Sequence, residues 1–119
     1  MQRFTELKVW QRSHAAVLEI YRLTLQFPAS EHYGITAQVR RAAVSASTNI
    51  AEGAKRLSRK DYAHFLNIAE GSLAETEYLV LLSRDLRYLP AAEADPLLAE
   101  LAEIMRMVAV LRRKAEEKR

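Results

Sequence analysis

Apolar residues recur along this chain at spacings of three and four, the period of helices that bury one face. Leu7, Trp10, His14, Val17, Tyr21 and Leu25 trace a first stripe that ends at Phe27-Pro28, where proline pushes the preceding residue out of helical space. After the turn residues Ser30 to Gly34, a second stripe runs through Ile35, Val39, Ala42, Ala46, Ile50, Gly53 and Leu57. Ser58-Arg59-Lys60-Asp61 then offers an N-cap serine with an acid at the third helical position, a capping box with Asp in place of the commoner Glu. From there Tyr62, Phe65, Ala69, Ser72, Thr76, Leu79, Ser83 and Leu86 predict a third helix of about thirty residues, roughly 45 Å long, closed by Pro90. A short connection holding Pro90 and Pro96 leads to a fourth stripe, Leu97, Leu101, Ile104, Val108 and Leu111, which fades into the charged tail Arg112 to Arg119.

Four amphipathic helices joined by short connections predict an all-α fold, an antiparallel up-down-up-down four-helix bundle, with residues 1–119 as one domain. Its expected core includes Trp10, Val17, Ile35, Val39, Ile50, Phe65, Leu79 and Leu101. Two stretches do not suit a solitary bundle. Tyr78 to Leu82 and Met107 to Leu111 are apolar all the way round a turn, which places them at the crowded centre of the bundle or in a subunit interface. The interface reading selects Tyr78, Leu81 and Leu82 on the third helix with Met107 and Val110 on the fourth.

Composition narrows the chemistry. A chain of 119 residues, half of them hydrophobic, with three Gly and three Pro, favours long regular elements over disorder. The absence of Cys excludes disulfides, thiolate catalysis and Cys-based metal centres. The first residues lack the apolar core of a signal peptide and no apolar run is long enough to span a bilayer, so the expected place is the cytoplasm, away from membranes. His14, His32 and His64 fall on different segments, and none sits near a serine and an acid in a triad-like arrangement. A di-metal carboxylate bundle would need two Glu-x-x-His motifs. The nearest approach is a single Asp61-Tyr62-Ala63-His64, in which Asp61 is better explained as a cap, so no metal, cofactor or catalytic residue is expected. Gly34, Gly53 and Gly71 are isolated and build no phosphate loop; Gly53, on the core line, reads as a point of close helix packing.

Charge is uneven. The net charge is +3, and residues 31–57 hold four cations against two acids. Arg40, Arg41, Thr48 and Lys55 fall opposite the core line of the second helix, with Arg56 nearby and Arg59 and Lys60 just past its end, a basic stripe interrupted by Glu52. No interleaved aromatic platform or nucleic-acid motif is legible beside it, so an ordinary solvated face is the competing reading. Polar groups beside the two central stripes, Ser45, Asn49, Glu52, Arg41, Glu70 and Ser72, must be paired if buried, and predict a network that fixes helix register rather than a catalytic centre.

Four strings resemble a known family: Phe4 to Gln11, Tyr33 to Ser45, Asn49 to Gly53 and Phe65 to Ser72. They are similar to the four helix bundle proteins, also called the ribosomal RNA intervening-sequence protein family, whose relatives include the accessory variability determinant protein of diversity-generating retroelements. The resemblance runs from Phe4 to about Leu89. It implies a bacterial cytosolic bundle that assembles into a homopentamer, with RNA or DNA as ligand, a reverse transcriptase or other protein as further partner, and no known reaction. It also carries over Arg40, Arg41, Lys55 and Arg56 as the nucleic-acid-binding positions. Ala46-Ser47 departs from the apolar residue and proline of many members, so a kink there is not carried over. Two functions follow: an oligomeric nucleic-acid-binding protein, or an interaction scaffold without a nucleic-acid role. A metalloenzyme is a distant third.

Overall fold

A computed structural model describes residues 3–117, which form four helices and no strand, with 83% helix. A 3-10 turn at Phe4–Glu6 leads into α1 (Lys8–Thr24); a second at Ala29–Glu31 precedes α2 (Ile35–Ala54), followed by α3 (Arg59–Asp85) and α4 (Ala91–Glu116). The helices pack as a bundle around one core of Ile20, Leu23, Val39, Ile50, Leu66, Leu73, Leu101, Ile104 and Val108, all nearly or fully buried. Its long axis measures 50 Å.

Cross-contacts fix the directions. Ser13 meets Ser47 while Arg40 reaches back to Thr24; Ser45 meets Ser72 while Gly53 lies against Phe65 and Tyr62; Arg84 pairs with Asp95 while Arg112 pairs with Glu70. Early residues of one helix thus meet late residues of the next, and successive helices run antiparallel. Arg12 with Glu100 and Arg22 with Glu93 show the same order between α1 and α4, which closes the ring of four.

The first stripe is corrected. The buried line of α1 is Val9, Ser13, Ala16, Val17, Ile20, Leu23 and Thr24, about 100° around the helix from the expected one; only Val17 belongs to both. The reason is steric. The buried face of α2 offers Ala42, Ala43, Ala46 and Ser47, small residues that leave room for small side chains and little for rings. Val, Ser and Ala fit that seam, where the Ser13 and Ser47 hydroxyls meet at 2.7 Å, and rings do not. Trp10 is consequently half-buried at the flank, while His14, Tyr21 and Leu25 are exposed, Leu25 at 79%.

Three smaller corrections follow the same logic. On α3 the core line is Ala63, Leu66, Ala69, Leu73, Thr76, Leu79, Val80 and Ser83, leaving Phe65 half-buried and Leu86 exposed. Leu57 lies beyond the end of α2 and is 92% exposed. Pro96 lies inside α4, not before it, at the cost of one backbone hydrogen bond in its second turn. The α3–α4 connection ends α3 with Arg87 in the left-handed region (φ 67°) and the Tyr88 N–H donating to the Ser83 carbonyl, a Schellman closure carried by a non-glycine residue. The Ser58 hydroxyl accepts from the Asp61 N–H at 3.0 Å and caps α3.

Candidate nucleic-acid interface

α2 presents Arg41, Val44, Thr48, Glu52 and Lys55 along its outward face, three to four residues apart. Arg40 lies at the edge of this face. Its guanidinium sits 4.4 Å over the Tyr21 ring and donates to the Thr24 hydroxyl at 2.9 Å. Arg56 folds over Phe65 at 4.5 Å and pairs with Glu52 at 3.1 Å. Arg40, Arg41 and Lys55 have no acidic partner among the described residues.

Arg3, Arg59, Arg87 and Arg113 also lack one, whereas the arginines at the helix seams are paired. Arg12 grips Glu100 through two parallel bonds of 2.8 and 2.5 Å; Arg22 meets Glu19 and Glu93, Arg84 meets Asp95, Arg106 meets Glu103, and Arg112 meets Glu70 and Glu116. The bonds from Arg12 hold the Glu100 carboxyl below its usual range, outweighing partial burial. Glu19 is shifted the same way by Arg22.

Aromatic rings border the basic face, among them Trp10, His14 and Tyr21, which the linear pattern places on the apolar stripe. Phe4, Trp10 and His14 line an open groove with Val44, Thr48, Ala51 and Lys55; Tyr21 and Tyr33 line a second with Arg40, Arg41 and Thr48. The shared residues Val44 and Thr48 join the two grooves along α2. Tyr33, at the start of α2, is 91% exposed. The signal for these rings was present at positions 10, 14 and 21, but their helical spacing equals that of a core stripe. Only the neighbouring Val-Ser-Ala-Ile line, better suited to an alanine-rich partner, would have told them apart.

Of the expected polar network, Ser45, Asn49 and Ser72 come together. The hydroxyls of Ser45 and Ser72 lie 2.9 Å apart, and the Asn49 amide donates to the Ser45 carbonyl and hydroxyl. The rest is corrected: Glu52 turns to Arg56, Glu70 to Arg112, and Arg41 is exposed. Among the expected interface residues, Tyr78 (59%) and Val110 (44%) are exposed, whereas Leu81 is half-buried and Leu82 and Met107 pack partly onto the protomer's own core. Among the described residues no three metal-ligating side chains converge, and no helix is long and apolar enough to cross a membrane.

The family model of the 23S rRNA-intervening sequence proteins matches residues 5–110. The chain belongs to that family. A solved structure from Bacteroides thetaiotaomicron, a protein of unknown function from the S23 ribosomal protein family, superimposes with a TM-score of 0.79 over 88% of this chain and 98% of its own, at 23% identity. That likeness carries the intervening-sequence protein fold alone. A comparison with curated proteins gives no match.

Proposed function

We propose that this intervening-sequence protein is a non-enzymatic, cytoplasmic homo-oligomer that binds RNA or DNA through the outward face of α2. The observation that carries this reading is the row of cations, Arg40, Arg41 and Lys55, without acidic partners among the described residues of a protein that pairs most of its other arginines. Unpaired cations are available to phosphates, and each phosphate they neutralise releases condensed counterions, so affinity falls steeply with salt. One patch is small; repeated around an oligomer, it adds by avidity. The family resemblance favours five copies. Tyr78 and Val110 are the exposed apolar residues proposed for the subunit interface, with the half-buried Leu81, Leu82 and Met107 as its further members.

The test is an anisotropy titration with a generic RNA and a generic duplex at low and physiological salt. Arg41→Glu and Lys55→Glu are expected to lower both affinity and salt slope, the slope by about one for each phosphate no longer neutralised. Light scattering at micromolar concentration is expected to give a multiple of the protomer mass, and Tyr78→Glu to reduce it. Lack of binding at low salt up to about 100 μM protein overturns the nucleic-acid reading. The scaffold reading then takes its place. It is favoured by Leu18 and Leu25, exposed on the outer side of α1 as an apolar surface for a protein partner.

A further inference from the structure

The groove between α1 and α2 has a character that electrostatics alone does not explain. Its volume is about 760 Å³, within the range of small-molecule sites, and its surface is mainly apolar. The Trp10 and His14 rings lie in it nearly parallel, 7° apart at a centroid distance of 4.9 Å, and Phe4 meets Trp10 edge-on at 5.0 Å. His14 is exposed and forms the outer leaf of this shelf. Val44 and Ala51 provide the opposite wall, and Lys55 stands at one end, where Glu52 also lines the groove, paired with Arg56.

A phosphate needs the cation but gains nothing from the rings and apolar wall. A planar base gains from both, because every base has a face that stacks and an apolar body that leaves water. In a duplex that face is already covered. From this juxtaposition we infer that the groove is a stacking site for an unpaired base, so that single-stranded nucleic acid is the ligand, with a base on the His14–Trp10 shelf and an adjacent phosphate at Lys55. This rests on the nucleic-acid reading above and narrows it. Charge complementarity points to this occupant. On the outward face of α2, Arg41 and Lys55 stand without acidic partners among the described residues and the one acid, Glu52, is paired with Arg56, so the face offers a net positive charge beside its rings, which suits an anionic strand with planar bases.

Trp10 is the one tryptophan of the chain, so its emission reports on this groove. The experiment titrates the full chain with three probes of about twelve units, a thymidine DNA strand, the corresponding duplex and an abasic phosphodiester strand, reading anisotropy and Trp10 emission together. The thymidine strand is expected to quench Trp10 and to bind about tenfold more tightly than the abasic strand. His14→Ala, at an exposed position, is expected to lower affinity for the thymidine strand by about five- to a hundredfold and to leave the abasic strand unchanged; His14→Phe restores it. Equal binding of all three probes without quenching overturns the stacking site and leaves the electrostatic reading standing. Lack of binding by every probe defeats both. A Trp10 signal that follows protein dilution and molecular mass, with none from the probes, assigns the groove to a second copy and likewise overturns the inference.

Discussion

α4 and α2 are both long amphipathic helices, yet they use charge in opposite ways. The acids of α4 lie where α1 and α3 present arginines: Glu93 beside Arg22, Asp95 beside Arg84, Glu100 beside Arg12. Such part-exposed pairs each add a modest preference, about 0–1 kcal/mol, for one register between helices. α2 is held instead by small residues and hydroxyl pairs, Ala46, Ser13 to Ser47 and Ser45 to Ser72, and its outward Arg41 and Lys55 pair with no acid of a neighbouring helix among the described residues. The contrast teaches that a charge balanced inside the fold reports on packing, while charges of one sign left over on a face report on a partner.

The largest effect that tests this contrast comes from the core. Ile104→Ala on α4, at a fully buried position, is expected to cost ~2–5 kcal/mol in denaturant melts, whereas Val44→Ala in the α2 groove should cost under ~1 kcal/mol. Equal losses would show that the α2 face is packed as tightly as the core. Next is the Arg112–Glu70 pair, about one-fifth exposed on each side. Arg112→Ala strands a half-buried carboxylate and should lower stability by less than the Ile104 truncation does, and Glu70→Gln in the same background should recover part of it.

The two helical glycines give smaller changes of opposite sign. A Cβ on Gly53 would stand 3.0 Å from the Phe65 Cβ, which its own helix backbone holds in place, so Gly53→Ala should destabilise by ~1 kcal/mol despite the better helix propensity. A Cβ on Gly71 meets nothing within 4 Å, and Gly71→Ala should stabilise by ~0.5–1 kcal/mol. Thermal melts of the pair provide the check. Arg41→Glu should change stability by less than ~0.5 kcal/mol, in contrast to its effect on nucleic-acid affinity.

The smallest effect is the acid response of α4. Because the folded Glu100 carboxyl lies below its ordinary value near 4.5, its contribution is complete above that pH and fades as the pH falls through the lower folded value. Glu100→Gln should therefore lower stability slightly at neutral pH and converge with the parent protein in strong acid. A difference between the two that persists undiminished in urea melts near pH 3 would assign the loss to packing instead of charge.

The stripes of α2 and α4 were legible because each has one continuous apolar line along most of its length: Ile35, Val39, Ala42, Ala46, Ile50 and Gly53, and Leu97, Leu101, Ile104 and Val108, are all buried. α1 was misread because it carries two apolar lines side by side. Periodicity shows that a face exists and does not say which of two adjacent faces meets the core. The cations Arg40, Arg41, Lys55 and Arg56 were visible at once, while Trp10, His14 and Tyr21 of their aromatic border were hidden inside the line mistaken for core.

By itself, then, the sequence determined four helices, their breaks at Pro28, Ser58 and Pro90, and the surplus of cations on α2, since propensity, capping and charge are local properties of the chain. Tertiary structure decided the rest. Which line of α1 was buried depended on the alanines of α2, more than twenty residues away in sequence, whose small side chains admit Val9, Ser13 and Ala16 and turn Trp10, His14 and Tyr21 outward. Close packing selects side chains by the volume left between two backbones, and that volume exists only once the helices have met.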